Sequence, residues 1–361
     1  MISRREVLVG LGAAVASGCA SPSPNPNPNP NPNPNPNPNP SPNPNPSPSP
    51  NPSPSPNPSP NPNPSPNPNP SPNPNPSPPS PSPSPSMLTR TIPSTGEKVP
   101  AIGLGSWSTF DVGPDEVARV QPVLARFLAM GGRVVDSSPM YGQAEAAIGT
   151  MLASLRAADV AMPVPFLATK VWTSGERAGQ EQMRRSMQLL GTSTLDLMQI
   201  HNLVDWKVHL KTLRAWKDAG TFRYIGVTHY QHGAFGELEQ IVRRERLDFV
   251  QLPYSVSDRE AEARLLPAAR DAGAAVLVMQ PFDTGGLFDQ VRGKAVPPVA
   301  AELGATSWAQ VFLLWILGHP AVTCPIPATS KLSHLEDNLA ALAMKVPDEA
   351  QRAAIVTAAG R

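Results

Sequence analysis

The sequence has little cysteine, almost no net charge and no long apolar run. Its 361 residues include only Cys19 and Cys324, so a framework of structural disulfides is excluded. Lysine and arginine total 29, aspartate and glutamate total 28, and the formal net charge is +1. This balance gives no electrostatic reason to expect nucleic acid or an anionic membrane surface as a partner. The apolar run at positions 7–15 is too short to span a bilayer.

The first twenty residues have the pattern of an export signal. The stretch SRREVL at positions 3–8 resembles a twin-arginine signal, and ASGC at positions 16–19 resembles a bacterial lipobox, in which the cysteine is acylated. We expect residues 1–18 to be a signal peptide and Cys19 to be the lipidation site of an exported protein anchored to a bacterial membrane. The alternative is a cytoplasmic protein whose translation starts at Met87.

A low-complexity tract follows the lipobox. Residues 21–86 contain only serine, asparagine and proline, including 33 of the 49 prolines. Such a segment buries too little apolar surface to offset the entropy of ordering it, which excludes a folded domain. Alternate prolines also favour extended geometry. We interpret residues 19–86 as a disordered, semi-stiff spacer that holds residues 87–361 away from a membrane; a proline-rich docking site is the alternative.

After residue 86, short apolar runs alternate with amphipathic stretches. Eight runs are strand candidates, and they lie at 102–104, 134–136, 166–170, 195–200, 224–227, 249–252, 275–278 and 322–326. Eight strand–helix alternations in about 275 residues favour an α/β fold of the (β/α)8 barrel type over an open doubly wound sheet. Gly103 and Gly105 form a glycine pair without the rest of a G-x-G-x-x-G loop, so a Rossmann fold has little support.

Several of the predicted strands end in a polar or ionisable residue. Asp136 closes the second run, Lys170 closes the third and His201 follows the fourth, while Tyr141 lies five residues beyond Asp136 in a loop. Each residue alone has a structural explanation, such as a helix cap for Asp136. Because barrel enzymes build their sites at the carboxyl ends of the strands, four such groups on neighbouring strands indicate a catalytic site.

The chain resembles the aldo-keto reductases over nearly all of residues 88–345. The motifs that carry the resemblance are Gly96–Trp107, Asp136-x4-Tyr141-Gly142 with Glu145, Ala168–Trp172, Asp196–His201, Gly226–Tyr230, Gln251, Ile326–Ser330 and Leu335–Asn338. The resemblance implies the (β/α)8 fold and NAD(P)H-dependent reduction of aldehydes or ketones. It also implies a catalytic tetrad of Asp136, Tyr141, Lys170 and His201.

The chemistry of carbonyl reduction gives each of the four a role. Hydride delivery to a carbonyl carbon builds negative charge on the oxygen, which requires a proton donor and a polarising contact. We expect Tyr141 to be the general acid and the Lys170 ammonium to lower its pKa. Asp136 is expected to keep Lys170 charged and oriented toward Tyr141. His201 is expected to orient the carbonyl group.

The same resemblance implies the cofactor positions. They are Thr228, His229 and Gln251 for the nicotinamide, Gln280, Phe282 and Thr284 for the pyrophosphate, and Thr329, Lys331 and Asn338 after the last strand. Met279 falls where a tyrosine often stacks on the nicotinamide. Ala328 and His334 replace the lysine and arginine that commonly hold the 2′-phosphate, and Lys331 is expected to compensate in part as a point charge. We therefore expect NADP(H), with NAD(H) as the alternative.

The remaining expectations concern the substrate and other partners. Trp107 and Trp172 are expected to line the pocket of a small-molecule carbonyl substrate, with rim packing as the alternative. His229 and His232 are three residues apart without a clustered third ligand, so we expect no metal site. We expect a monomer. Because free NADPH is not expected outside the cytoplasm, a cofactor-holding binding or sensing module with vestigial catalysis stays open as a second function.

Overall fold

The structure is a computed structural model that describes residues 87–159 and 161–361. The signal peptide, the lipidation site at Cys19 and the spacer that the sequence predicts lie outside the described residues. Within 87–159 and 161–361, no helix has both the length and the apolar character that a membrane span requires.

Eight parallel strands form the central sheet. They follow a two-stranded hairpin of β1 (Thr89–Thr91) and β2 (Lys98–Pro100), and they are β3 (Leu104–Gly105), β4 (Val134–Asp136), β5 (Phe166–Val171), β6 (Leu195–His201), β7 (Phe222–Thr228), β8 (Phe249–Pro253), β9 (Ala275–Met279) and β10 (Cys324–Pro325). Each of the eight strands from β3 to β10 pairs with the next along the chain. The backbone N–H groups of Gly103 and Gly105 donate to the carbonyls of Pro325 and Pro327 at 2.9 and 3.1 Å, so the first and last of these strands also meet. The predicted (β/α)8 barrel is therefore confirmed.

The sheet surrounds an apolar core that the hairpin closes at one end. Ile92 and Val99, from the hairpin, pack in the same buried cluster as Phe166, Tyr224 and Phe249, which lie near the beginnings of their strands. Each predicted apolar run overlaps a strand, although the first strand begins two residues later than predicted. The hairpin was not predicted.

Helices cover the outer surface of the barrel. They are α1 (Val117–Ala129), α2 (Ala144–Ala158), α3 (Glu176–Leu190), α4 (Trp206–Asp218), α5 (Phe235–Glu245), α6 (Leu265–Ala272), α7 (Gly286–Gln290), α8 (Pro298–Leu303), α9 (Trp308–Leu317), α10 (Leu332–Ala340) and α11 (Glu349–Ala359). On α3, for example, Met183, Ser186 and Leu190 recur every three or four residues and are buried, as expected for an amphipathic helix. Gly191 ends α3 in the left-handed conformation (φ 67°), where glycine carries no steric cost.

The polar residues of the site follow from the two-residue period of the strands. Every second side chain of a barrel strand points into the interior. On β5, Ala168 belongs to the interior apolar cluster and Lys170 is the next residue on that face. On β6, Leu197 belongs to the cluster, and Gln199 and His201 follow on the same face. The apolar interior therefore gives way to polar side chains at the carboxyl ends of the strands.

Candidate active site

Asp136 and Lys170, on adjacent strands, form a buried ion pair. Lys170 Nζ lies 2.6 Å from Asp136 Oδ2 and donates to the carbonyl oxygen of Ser137 at 2.7 Å. Gln199 Nε2 donates to the other Asp136 oxygen at 3.3 Å. Burial alone lowers the pKa of Lys170, but Asp136 and Tyr141 raise it, and the net pKa lies above its ordinary value. Lys170 therefore stays charged at neutral pH although it is fully buried.

Tyr141 lies in the loop after β4, over the Lys170 ammonium. The ring centroid of Tyr141 is 4.9 Å from Lys170 Nζ. It is 5.9 Å from the centroid of the His201 ring, and the two rings are nearly perpendicular, at 87°. The loop is held by Asp111, whose carboxylate accepts a hydrogen bond from the Gln143 backbone at 2.8 Å. The four side chains that the sequence predicts as a tetrad are thus brought together at one end of the barrel.

The surroundings of Tyr141 keep its phenol protonated. Burial raises the pKa of Tyr141, the Lys170 ammonium lowers it, and Asp136 raises it again, so the net pKa lies above its ordinary value. The effect of Lys170 on the pKa of Tyr141 has the direction expected from the sequence, but burial outweighs it. A phenol that stays protonated retains the proton that a general acid must donate.

His201 ends β6 beside Tyr141 and is 6% exposed. Burial, followed by the charge of Lys170 and the nearby His229, lowers the pKa of His201 to about 2. The imidazole is therefore neutral at physiological pH. Ser138 Oγ lies 2.9 Å from its Nδ1.

Three residues at this end of the barrel were missed from the sequence. Gln199 donates to Asp136, Ser138 contacts His201, and Asn202 presents a buried side-chain oxygen without a partner among the described residues. Gln199 had a usable signal, because it lies two residues before His201 and so shares its face of the strand. Ser138 and Asn202 had none, since both lie in irregular loops.

The predicted nicotinamide positions contain buried polar atoms without partners. Thr228 and Gln251 are neighbours in the pairing of β7 with β8, and both side chains are buried. Thr228 Oγ1 and Gln251 Nε2 have no hydrogen-bond partner among the described residues. Because such atoms are normally satisfied, a polar ligand that includes an amide fits here. His229 lies beside them, and its ring stacks on Tyr230 with centroids 5.7 Å apart.

The loop after β9 carries the predicted pyrophosphate positions. Gln280, Asp283 and Thr284 all have positive φ values, between 50° and 53°, a region that residues with a Cβ rarely adopt. Backbone strain of this kind concentrates at functional sites. Phe282 lies within this loop and packs on Phe288, with ring centroids 4.9 Å apart.

A recess of about 550 Å³ lies between this loop and the segment after β10. It is lined by Phe282, Phe288, Ser307, Trp308, Ala309, Ala328, Thr329, His334, Asp337 and Asn338. Three of the predicted cofactor positions, Phe282, Thr329 and Asn338, therefore line the same recess. Lys331 is exposed and is absent from the lining, whereas His334 and Asp337 are its ionisable side chains. The Asp337 carboxylate is already bound by Ser307 Oγ at 2.6 Å and Gln310 Nε2 at 2.7 Å.

Exposed apolar side chains surround the same end of the barrel. Trp107 follows β3 and is 54% exposed, and Trp172 follows β5 and is 41% exposed. Met140 follows β4 and Tyr230 follows β7, and both are also exposed. Loops after four strands thus contribute apolar surface at the end of the barrel that holds Tyr141.

The two histidines considered for a metal site take part in other contacts. His232 Nε2 lies 2.8 Å from Asp258 Oδ2, and His232 Nδ1 lies 3.2 Å from Glu260 Oε2. His229 Nδ1 accepts a hydrogen bond from the Gln231 backbone at 3.0 Å. In the part of the chain that the structure describes, no group of three or more His, Cys, Asp or Glu side chains is arranged to hold a metal ion.

Comparisons with known proteins converge on one family. Residues 101–358 match the sequence profile of the Aldo/keto reductase family. An uncharacterized oxidoreductase, C215.11c, of Schizosaccharomyces pombe is 28% identical over 173 residues, which cover 47% of this chain and 54% of that protein. The aldo-keto reductase YhdN of Bacillus subtilis is 29% identical over 199 residues, which cover 50% of this chain and 58% of that protein. The chain thus spans little more than half the length of these two relatives.

A solved structure gives a longer match. The crystal structure of an aldo/keto reductase from Klebsiella pneumoniae in complex with NADP and acetate is 25% identical, with a TM-score of 0.61. The match covers 73% of this chain and 93% of that one.

Proposed function

Because the chain belongs to the aldo/keto reductase family, we propose that it reduces the carbonyl group of a small aldehyde or ketone to an alcohol. The observation that carries the proposal is the buried Lys170–Asp136 pair beneath Tyr141, with neutral His201 against the same ring. An acid, a charge that stabilises its conjugate base and a second polar contact are what carbonyl reduction requires.

NADP(H) is the favoured cofactor, as the similar Klebsiella structure was solved with NADP. Two features of this chain fit it. Thr228 Oγ1 and Gln251 Nε2 are buried without partners and are suited to hold a carboxamide. The recess next to Phe282 has aromatic walls and is large enough for an adenosine group. When bound, the cofactor supplies the hydride that reaches the carbonyl carbon.

Tyr141 supplies the proton. As negative charge develops on the carbonyl oxygen, the Tyr141 O–H bond breaks and its proton moves to that oxygen, which leaves a phenolate. The Lys170 ammonium, 4.9 Å from the ring centroid, stabilises the phenolate until a proton from water restores the phenol. Asp136 keeps Lys170 charged throughout. One hydride and one proton are thus consumed for each alcohol formed.

The test compares two tyrosine variants of the full chain. With NADPH and an aromatic aldehyde such as 4-nitrobenzaldehyde, we expect the wild-type protein to catalyse reduction. We expect kcat of Tyr141→Phe to be at least about 100-fold lower than that of wild type. The dissociation constant for NADPH should stay within about twofold of wild type, because the phenol contacts the substrate rather than the cofactor. Tyr224→Phe is the matched control, since its hydroxyl contacts Glu97 at the opposite end of the barrel.

Two results would contradict the proposal. Substantial turnover by Tyr141→Phe would remove Tyr141 as the acid. Tight NADPH binding by a wild-type protein that reduces neither aldehydes nor ketones would favour the cofactor-holding binding module instead.

We also propose that the barrel is exported and held at a membrane by lipid on Cys19. The support is in the sequence, namely the paired Arg4 and Arg5, the short apolar run and the ASGC stretch at positions 16–19. Cell fractionation with an antibody against the barrel should find the protein in the membrane fraction, and Cys19→Ser should release it. A soluble cytoplasmic chain that begins at Met87 would contradict the proposal.

A further inference from the structure

Ser138 makes a buried contact that the roles described above do not use. Its Oγ lies 2.9 Å from Nδ1 of His201, and the Ser138 side chain is fully buried. The backbone N–H of Met140 donates to the same Oγ at 3.3 Å. Ser138 is therefore fixed by its own loop and touches the side of the imidazole ring opposite Nε2.

The count of protons decides the direction of the bond between Ser138 and His201. A serine hydroxyl has one proton to donate and two lone pairs that accept. Oγ already accepts from Met140, and among the described residues Nδ1 of His201 is the acceptor within reach of its proton. If Nδ1 carried the imidazole proton, the buried hydroxyl proton of Ser138 would have no acceptor, which is unfavourable.

Because the His201 ring is neutral, this count of protons decides which of its two nitrogens is protonated. With a pKa near 2, His201 carries a single N–H at neutral pH, so the proton is on one ring nitrogen or the other. Nε2 of His201 has no hydrogen-bond partner within residues 87–159 and 161–361, so only the contact at Nδ1 selects between the two tautomers.

We propose that Ser138 is a positioning residue that holds His201 in the Nε2–H tautomer by donating its hydroxyl proton to Nδ1. The ring then presents an N–H donor to the carbonyl oxygen that Tyr141 protonates. The other tautomer would turn a lone pair toward that oxygen, and the site would lose one of the donors that stabilise the developing negative charge. The catalytic consequence rests on the proposed function, whereas the tautomer is a property of the resting protein.

The first test measures the tautomer without turnover. The full chain is labelled with 15N, and long-range 1H–15N spectra at neutral pH separate protonated from unprotonated ring nitrogens. The chain has six histidines, and His201→Gln identifies the signals of His201. We expect a protonated Nε2 and an unprotonated Nδ1 in wild type. A protonated Nδ1 in wild type overturns the proposal whether or not the enzyme is active.

The second test uses variants of Ser138. Ser138→Ala removes the donor, so we expect a mixture of the two tautomers and a fall of about twofold in kcat, in proportion to the Nε2–H tautomer that is lost, with NADPH affinity unchanged. Ser138→Thr keeps a hydroxyl and should restore both readouts. Ser186→Ala is the matched control, because it removes a buried hydroxyl that donates to Glu145 at 3.0 Å and should leave the His201 signals unchanged.

The outcomes separate this inference from the proposed function. His201 signals in Ser138→Ala that match wild type overturn the role of Ser138. A changed tautomer with wild-type kcat overturns its importance for reduction. A wild-type protein with protonated Nε2 that reduces no carbonyl supports the assignment of the tautomer while the proposed function fails.

Discussion

Lys170 Nζ and Asp136 Oδ2 lie 2.6 Å apart, and both side chains are shielded from water. A buried charge is tolerated only when it is paired, and the removal of one partner leaves the other uncompensated. Gln199 and the Ser137 carbonyl complete the hydrogen bonding of the pair. The same contact therefore serves stability and keeps the ammonium beneath Tyr141.

We expect Asp136→Asn to destabilise the barrel by about 3–5 kcal/mol, because it leaves the Lys170 ammonium buried without a counter-charge. Urea unfolding followed by circular dichroism measures the change. Asp218→Asn, at an exposed position at the end of α4, is the control and should keep the wild-type midpoint. Addition of Lys170→Met to Asp136→Asn should recover part of the loss, and equal stability of Asp136→Asn and wild type would contradict the argument.

The pH dependence of reduction follows from two shifted groups. His201 has a pKa of about 2 and is neutral over the working range, while the pKa of Tyr141 is raised and its phenol stays protonated. Neither group titrates between about pH 5 and pH 9 in the free enzyme. We therefore expect kcat/KM for reduction to be flat over that interval and to fall only when the pH rises through the pKa of Tyr141.

Steady-state rates in overlapping buffers, with NADPH stability as the control, measure this profile. A fall in kcat/KM as the pH rises through about 6.5 would mean that protonated His201 is the acid. In that case the neutral protonation state of His201 would be wrong.

The barrel was predictable because parallel strands buried on both faces form continuous apolar runs in the sequence. Asp136 and Lys170 were found because each closes such a run. The hairpin that contributes Ile92 was missed, because its strands, TRT and KVP, are mostly polar and so contain no apolar run.

Two features of the site depend on contacts that the sequence does not reveal. Ser138 and His201 are 63 residues apart, so their contact exists only in the folded barrel. The raised pKa of Tyr141 depends on how deeply its loop packs, and the sequence predicted only the effect of Lys170.

The choice between NADPH and NADH should depend on His334 rather than Lys331. Both side chains are exposed, but His334 lines the recess and Lys331 lies outside the lining. We expect Lys331→Ala to change the dissociation constant for NADPH by less than about twofold. His334→Arg should tighten NADPH relative to NADH by about tenfold, because a guanidinium can hold a phosphate with two hydrogen bonds.

Fluorescence titration with both cofactors at one salt concentration measures these effects. Lys331→Arg keeps the charge and is the control for Lys331→Ala. A large loss of NADPH affinity in Lys331→Ala alone would restore the compensating role that the sequence predicted for this lysine.

The loops around the site should also discriminate between substrates by their charge. The loops between strand and helix after β3, β4, β5 and β6 contain no lysine or arginine, and they carry Asp111 and Asp205 together with the exposed Trp107 and Trp172. Around an acidic and aromatic rim, a carboxylate on the substrate is repelled, while a cation is attracted by both the charges and the rings.

We expect kcat/KM for 4-carboxybenzaldehyde to be at least about fivefold below that for methyl 4-formylbenzoate. A trimethylammonium-substituted benzaldehyde should equal or exceed the ester. The differences should shrink at high salt, because rim charges are screened. A preference for the carboxylated aldehyde would mean that a cation reaches the substrate from elsewhere in the chain.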